Sequence, residues 1–406
     1  MDDSAATFLT NATMADGAVC DVEICNGVIA AVRPNDGRSS SAGPTSIDLS
    51  GYLLLPAAAE PHAHLDKALT WDLVGAPPGD LDSAIESYLD FERAVTEEEI
   101  YARARAAALK LLAAGVTAVR SHVNLMPGPL PYRGVDAMVR LRADLSEVMD
   151  VELVALPYIA AETDVIEGAL DRGLDLVGGA PHLDSDPIYE TNRILDIAER
   201  RGIGVDLHVD ESLHGPTTMR EFAAVVSGWP EDRSRTAGHC VRLGTLPRNE
   251  ATAIAQMLSS SKIGVVTLPI TNLYLQGREA EHSVPRGLTA LRTLLDAGVV
   301  LSAGADNLRD PFNPMGRGDP LETASLLVTA GHLPVETAWG LVSAGARQVI
   351  GLPAAGPVVG LAADLLAVRG QSLAEVVAEA SQDRMVFRAG KLVARTTLHR
   401  TMAVVS

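Results

Sequence analysis

Short hydrophobic stretches alternate with longer amphipathic stretches along most of this chain of 406 residues. The stretches from Glu97 to Ala114, from Ile188 to Arg201 and from Leu288 to Ala297 carry a helical pattern, and a glycine follows each of them. Glycine is common just after the last turn of a helix. The pattern therefore predicts helices that end at these glycines, with a strand beginning after each one.

The hydrophobic stretches between these helices are typical of strands. They run from Leu53 to Leu65, Val116 to Val123, Val151 to Ile159, Leu174 to His182, Ile203 to His208, Arg235 to Cys240, Ile263 to Pro269 and Val299 to Ala303. Strands that alternate with helices in this way indicate an α/β fold, the parallel (β/α)₈ or TIM barrel, whose active-site groups gather at the C-terminal ends of the strands. We predict such a barrel for residues 58–354.

The two ends of the chain predict a smaller second domain. The chain exceeds the ~250 residues typical of a (β/α)₈ barrel. Short β-like stretches occur from about Asp21 to Tyr52 and return at Ala363 to Val368 and at Met385 to Val393. We therefore expect residues 1–57 and 355–406 to pair into one small β-sandwich domain.

Composition and charge narrow the class of partner. The formal net charge of −19 opposes binding to nucleic acid or to an anionic membrane, because a phosphate backbone requires a basic surface. No apolar run reaches the ~18 residues of a membrane span, and Met1 to Ser4 lacks a basic signal-peptide start. The three cysteines, Cys20, Cys25 and Cys240, are scattered, which favours a reducing compartment. We expect a cytoplasmic protein. The sequence does not decide between a monomer and a homo-oligomer.

The candidate chemistry begins at Pro61 to Asp66, at the end of the first predicted strand. Side chains alternate along a strand, so His62 and His64 point the same way and can bind one metal ion. A lone His-x-His is a weak signal, because such pairs also occur by chance. The other ligands must come from other strands.

Three further strand ends carry residues of the right kind. His208 lies at the end of the stretch from Ile203, and His239 lies near the end of the stretch from Arg235. Asp306 follows the stretch from Val299. A parallel barrel would bring these ends to one mouth. If three of these four imidazoles and the carboxylate bind one ion, room remains for a water molecule. That arrangement is typical of a catalytic metal site that performs hydrolysis.

A proton carrier is also needed, and Glu211 follows His208 by three residues. Strict strand alternation would place Asp210, not Glu211, on the face of His208. The assignment of Glu211 therefore requires the strand to end at His208.

Together these motifs resemble the cytosine deaminase branch of the amidohydrolase superfamily. The matching stretches are Glu60 to Asp66, His208 to Glu211, Gly238 to Cys240, Leu275 to Arg278, Pro285 to Gly287, Asp306 to Asn307 and Asp310 to Gly316. The resemblance spans nearly the whole chain. It implies a barrel with a β-sandwich from both termini, and one divalent metal ion, zinc or iron, with manganese open.

The resemblance also implies roles for single residues. The implied metal ligands are His62, His64, His208 and Asp306. Glu211 would carry a proton to a ring nitrogen, His239 would steer the attacking hydroxide, and Asp306 would also relay a proton to the leaving amine. The segment from Val177 to Asp184 has no lysine. That supports one metal ion over the two-metal sites that a carboxylated lysine bridges.

The expected pocket departs from that family. Tyr158 stands where the family carries a glutamine after the third strand, and Asn307 and Phe312 replace an aspartate and a tryptophan. For Gln276, past the seventh strand, a substrate contact and a loop hydrogen bond are both open. We therefore expect a metal-dependent hydrolytic deaminase of an amino-substituted N-heterocycle, a cyclic amidine, with cytosine not preferred.

Several alternatives stay open. The same site would also suit the hydrolysis of a cyclic amide (lactam), and a barrel can retain its ligands as a non-catalytic, metal-dependent binding protein for a small molecule. Release of ammonia or an amine separates deamination from ring opening. We expect His122 to support a ligand or to pack in the core. His182 and Asp184 either touch the substrate or cap the next helix.

Overall fold

The computed structural model describes residues 6–35, 46–75 and 79–403 of the chain. The strands in these residues are β1 (Thr7–Thr13), β2 (Val19–Cys25), β3 (Val28–Pro34), β4 (Ser46–Asp48), β5 (Tyr52–Pro56), β6 (Ala58–Ala63), β7 (Val116–Leu125), β8 (Asp150–Pro157), β9 (Leu176–Gly179), β10 (Val205–Val209), β11 (Arg235–His239), β12 (Gly264–Thr267), β13 (Leu301–Ala303), β14 (Leu365–Arg369), β15 (Arg384–Arg388) and β16 (Lys391–Thr396).

The α-helices are α1 (Trp71–Val74), α2 (Leu81–Glu92), α3 (Glu97–Ala114), α4 (Arg133–Leu145), α5 (Thr163–Asp171), α6 (Pro187–Arg201), α7 (Met219–Val226), α8 (Arg248–Ser260), α9 (Pro269–Leu275), α10 (Leu291–Asp296), α11 (Pro320–Thr329), α12 (Val335–Val342), α13 (Ala344–Val349) and α14 (Leu373–Glu379). Two short 3₁₀ turns, Pro181–Leu183 and Val241–Thr245, follow β9 and β11.

Strands β6 to β13 form the barrel. They lie side by side in chain order, and each neighbouring pair is parallel. A parallel bridge between Ala63 and Asp306 connects the end of the first strand to the end of the last. The predicted (β/α)₈ barrel is therefore confirmed, and all the strand ends that carry candidate ligands open at one mouth.

Both ends of the chain join in a second, mixed sheet. Its order is β16-β15-β14-β5-β1-β2-β3, with β4 beside β1. Its buried face includes Leu9, Leu54, Leu365 and Phe387. The small β domain expected from both termini is present, but its bounds, 1–57 with 355–406, and those of the barrel, 58–354, stay predictions. Residues 1–5, 36–45 and 404–406 of the predicted flanks lie outside the described residues.

The prediction of one strand from Leu53 to Leu65 is wrong, because the structure divides it between the two domains. Strand β5 pairs with β14 of the terminal sheet, and β6 pairs with β7 of the barrel. The change falls at Ala57, whose N–H donates to Asp364 O, while the N–H of Ala58 donates to Gly115 O. Both strands are buried, so the sequence between them shows no polar break.

Helices α3 and α6 end directly before the predicted glycines, whereas α10 ends two residues before Gly298. Helix α3 has the expected bounds, begins with a capping box between Thr96 and Glu99, and ends before Gly115. Gly115 has a φ of +107°, and a Cβ there would meet the Leu366 side chain at 2.6 Å, so both its backbone and its surroundings require glycine. Helix α6 starts one residue earlier than predicted and α10 is shorter. No helix of the described ranges is long and apolar enough to cross a membrane.

A buried ion pair connects the two domains. Arg384 of β15 donates two hydrogen bonds to the carboxylate of Asp319, at 3.0 and 2.7 Å, and a third to Ala114 O at 2.7 Å. Asp319 is the N-cap of α11. The terminal sheet is therefore held against the helices that surround the barrel.

Candidate active site

Strand β6 delivers the first two candidate ligands. All six of its residues are buried, and the strand ends at Ala63, between His62 and His64. His62 is fully buried and His64 is 3% exposed. After His64 the chain turns back, because its carbonyl accepts a hydrogen bond from the N–H of Lys67 at 3.2 Å. Both imidazoles therefore reach the barrel mouth, as strand alternation predicts.

The four predicted metal ligands converge on one point. The Nε2 atom of His208 lies 3.2 Å from the Nε2 atoms of both His62 and His64. The Oδ1 atom of Asp306 lies 3.3 Å from His64 Nε2 and 3.9 Å from His62 Nε2. Such separations are close to those between ligand atoms that each sit about 2 Å from one metal ion.

Burial and charge at this cluster fit a divalent cation. Burial lowers the pKa of His62, His64 and His208 well below the ordinary histidine value, so each ring is neutral and has one nitrogen with a lone pair free to bind a metal ion. Burial also raises the pKa of Asp306 well above its usual range, and both its carboxylate oxygens lack a hydrogen-bond partner among the described residues. A buried carboxylate facing neutral imidazoles needs a positive charge between them.

His122 lies behind the cluster on β7. Its ring centroid is 4.1 Å from that of His62, and its Nε2 atom is 3.6 Å from Asp206 Oδ1. His62, His122 and His208 form a second group that could hold an ion, besides His62, His64 and Asp306. The sequence predicted a supporting or packing histidine, and the structure packs His122 against His62, with neither of its ring nitrogens hydrogen-bonded among the described residues.

Backbone turns at the strand ends aim the remaining residues. Strand β10 ends at Val209, one residue later than the assignment of Glu211 required, and Asp210 has a φ of +48°. The left-handed turn breaks strand alternation, so Glu211 reaches the site while Asp210 accepts hydrogen bonds from Thr218. His239 and Asp306 have φ values of +65° and +64°. Such strain gathers at functional sites.

Glu211 and His239 face each other beside the cluster. Glu211 Oε1 lies 3.5 Å from His239 Nδ1, and Oε2 lies 3.8 Å from His182 Nε2. Burial raises the pKa of Glu211 to about 8. The amide of Asn272 donates to His239 Nδ1 at 3.1 Å, which leaves the proton of that imidazole on Nε2, 3.9 Å from Asp306 Oδ2.

A cavity of about 270 Å³ opens over these residues. Tyr158, Asn307, Phe312 and Asp184 line it, and the role of the first three as substrate-binding residues stays a prediction. Gln276 lies outside the lining residues, and its amide donates to the carbonyl oxygen of Glu211 at 2.5 Å. The structure thus shows the loop hydrogen bond for Gln276.

The structure adds a polar wall that the sequence reasoning missed. The cavity is also lined by Lys67, Tyr88, Glu92 and Asn124. Tyr88 and Glu92 lie on one face of α2, which turns its side towards the barrel mouth. The helical spacing of this face was visible in the sequence, but nothing there indicated that it covers the mouth.

Comparison with known proteins agrees with this geometry. The profile of the "Amidohydrolase family" matches residues 80–394. A pterin deaminase from Rhizobium rhizogenes (strain K84 / ATCC BAA-868) is 28% identical over 391 residues, which cover 93% of this chain and 88% of that protein.

Two solved structures share the whole architecture. The 5-methylcytosine deaminase from Klebsiella pneumoniae, liganded with 5-fluorocytosine, superposes with a TM-score of 0.88 at 24% identity and covers 98% of this chain and 99% of its own. The N-isopropylammelide isopropylaminohydrolase from Burkholderia multivorans ATCC 17616 superposes with a TM-score of 0.82 at 27% identity, covering 96% and 98%.

Proposed function

Since the chain belongs to the amidohydrolase family, we propose that it is a metal-dependent hydrolytic deaminase of an amino-substituted N-heterocycle. The observation that carries this proposal is the convergence of three imidazoles, Asp306 and Glu211 at one buried cavity. The relative from Rhizobium rhizogenes supports it, because that protein is named as a deaminase of pterin, which is such a heterocycle.

The metal would be held by His62, His64, His208 and Asp306. When bound, a divalent ion, zinc or iron with manganese as a further option, lowers the pKa of a water and so supplies a nucleophile near neutral pH. Imidazole nitrogens and a carboxylate suit each of these ions.

Glu211 would move a proton to the substrate. With its pKa raised to about 8, this carboxyl retains its proton at neutral pH. It can therefore protonate a ring nitrogen next to the carbon under attack, which makes that carbon a better electrophile. Burial keeps bulk water from exchanging the proton, since Glu211 is only 5% exposed.

His239 would stabilise the negative oxygen that develops on the attacked carbon. Its Nδ1 atom accepts from Asn272, so Nε2 carries the proton and is free to donate. Preorganised donors of this kind favour the transition state over the ground state. Asp306 Oδ2, 3.9 Å away, would pass a proton to the leaving amine.

The pocket residues would select the ring. Phe312 offers an apolar face for stacking, and the hydroxyl of Tyr158 offers one hydrogen-bonding group. Asn307 is held by its hydrogen bond to Asp310 at 2.8 Å. Gln276 would act indirectly, by holding the backbone of Glu211. We expect cytosine to be a poor substrate, because one hydroxyl does not replace the two polar groups of a carboxamide.

The test is ammonia release by protein loaded with zinc, iron or manganese, measured on a panel of amino-substituted N-heterocycles that includes pterin and cytosine. Glu211→Gln is the control, because it keeps the shape of the side chain and loses the acid. Release by the unmodified protein alone supports the proposal. Ring-opened product without ammonia would instead indicate a lactam hydrolase, and tight binding without product would indicate a binding protein.

A further inference from the structure

Lys67 is unusual among the basic residues of this chain. Of 33 basic residues only four are lysines, and the other three, Lys110, Lys262 and Lys391, are exposed. Lys67 is 6% exposed and lines the cavity above the metal cluster. Within the described part of the chain, it is the only lysine or arginine that lines this cavity.

The ammonium group of Lys67 faces two aromatic rings and contacts no hydrogen-bond acceptor among the described residues. Its Nζ atom lies 4.6 Å from the ring centroid of Phe312 and 5.8 Å from that of Tyr88. No hydrogen bond or ion pair of this atom occurs among the described residues. Aromatic faces stabilise a cation but use none of its N–H groups as donors to oxygen. Three N–H donors are therefore available to a molecule in the cavity.

Glu92 lines the same cavity from helix α2. It is 2% exposed, and its Oε1 atom accepts from the amide of Asn124 at 3.3 Å. In the described residues no donor contacts Oε2. Glu92 therefore presents one engaged oxygen and one that is available to a ligand.

Asp66 connects the backbone of Lys67 to that of Asn124, the residue that contacts Glu92. One carboxylate oxygen of Asp66 accepts from the N–H of Lys67 at 3.0 Å, and the other accepts from the N–H of Asn124 at 2.8 Å. Asn124 in turn holds Glu92. The fully buried carboxylate of Asp66 thus connects the backbone of Lys67, the proposed donor, to the backbone of Asn124, which contacts Glu92. Such preorganisation favours selective binding.

We propose that Lys67 and Glu92 together bind the amide edge of the substrate ring, with Lys67 donating to a ring oxo group and Glu92 accepting from the adjacent ring N–H. The assignment rests on the proposed deaminase function and adds the residues that decide specificity. Tyr158 offers the same cavity a single hydroxyl, which does not supply a separate donor and acceptor for the two groups of an amide edge. A ring without the oxo group would leave the buried ammonium unpaired, which strongly disfavours binding.

The experiment compares matched substrate pairs that differ in the oxo group and in the ring N–H that accompanies it, which together form the amide edge. Suitable pairs are pterin with 2-aminopteridine and isocytosine with 2-aminopyrimidine. In the unmodified enzyme we expect kcat/KM for the oxo member to exceed that of its partner by at least about 10-fold, since a hydrogen bond to a charged group has roughly this effect. Lys67→Met should lower kcat/KM for the oxo member about 10- to 100-fold and leave its partner nearly unchanged.

Matched variants separate this role from a structural one. Lys67→Arg keeps the charge and should retain part of the preference, and Glu92→Gln should weaken binding of the ring N–H. Lys110→Met on α3 and Glu86→Gln on the exposed side of α2 are the controls. Metal content of every variant should match that of the unmodified protein, and so should the thermal unfolding of the two control variants.

A binding readout keeps the inference independent of turnover. Calorimetric Kd values of the ring pairs, measured on metal-loaded Glu211→Gln with and without Lys67→Met, should show the same 10- to 100-fold loss for the oxo member alone. Equal losses for both members, with turnover intact, would overturn the assignment and leave the deaminase proposal standing. Ammonia release from no member of any pair would overturn the deaminase proposal itself, and this inference with it.

Discussion

The carboxylate of Glu60 accepts a hydrogen bond from the backbone N–H of Ala305 at 2.8 Å, and so connects the first strand of the barrel to the residue before Asp306. The other oxygen of Glu60 accepts from the N–H of His62 at 3.2 Å. One buried side chain thus fixes the backbones of two proposed metal ligands that are far apart in the sequence. It does so at the seam where the barrel closes.

Replacing Glu60 by alanine should therefore damage both stability and the metal site. Two buried N–H groups would lose their acceptor, and we expect the free energy of unfolding to fall by about 2–4 kcal/mol. Denaturant unfolding and metal analysis of the purified variant measure the two effects. Glu60→Gln keeps one carbonyl acceptor and should lose less. Full metal content in the alanine variant would contradict the role at the seam.

The ion pair between Arg384 and Asp319 should be essential for holding the terminal sheet. Arg384 is 1% exposed, so Arg384→Met leaves the carboxylate buried without its charge partner, which typically costs about 3–5 kcal/mol. The double variant Arg384→Met with Asp319→Leu should recover part of this loss, because no unpaired charge remains. Arg93→Met, which removes an exposed partner of Asp90, should leave the denaturation midpoint unchanged.

Removal of the metal ion should lower the stability of the protein, and this effect should require the predicted metal ligands. A ligand at 100 times its Kd stabilises the folded state by roughly 2.7 kcal/mol, so chelator treatment should lower the thermal midpoint and zinc should restore it. His64→Ala should abolish this response. His332→Ala changes an exposed histidine and should respond like the unmodified protein. A His64→Ala variant that still gains stability from zinc would argue against His64 as a ligand.

Glu92 should make the stability depend on pH. Burial raises its pKa to about 7, whereas the unfolded chain has a value near 4.5, so the folded state holds the extra proton between these values. The free energy of unfolding therefore decreases as pH rises from about 4.5 to about 7. Glu92→Gln should remove this decrease, and its stability relative to the unmodified protein should rise by about 1–3 kcal/mol between pH 5 and pH 8.

The control for that measurement is Glu86→Gln, which changes an exposed residue of the same helix. Its stability should follow the same pH dependence as that of the unmodified protein. A Glu92→Gln curve that runs parallel to the unmodified one across this pH range would show that Glu92 does not carry the extra proton.

Strand ends and their order were predictable because both depend on local patterns. A hydrophobic run that ends in His208, His239 or Asp306 specifies a buried strand with a polar terminus, and parallel topology brings such ends together. The end of helix α3 at Gly115 could also be predicted from the sequence, because a left-handed turn favours glycine. Predicting these features requires only the pattern of neighbouring residues and the rule that the C-terminal ends of parallel strands meet at one mouth of a barrel.

The division between β5 and β6 shows where local patterns fail. Both strands are buried, so the hydrophobic run continues across Ala57 although the chain changes from one sheet to the other there. The approach of Glu211 to the site was also not determined locally. It depends on the left-handed turn at Asp210, which the hydrogen bonds from Thr218 hold in place.

The sequence by itself determined the barrel, the two-ended β domain and the residues that gather at the mouth, since periodicity and strand order act through short-range sterics and burial. Only the tertiary structure decided which side chains meet across the cavity. The positions of Lys67 and Glu92 relative to each other follow from hydrogen bonds of Asp66 and Asn124, which join β7 to the turn after β6. Contacts between distant segments depend on how whole elements pack, and no local pattern encodes that packing.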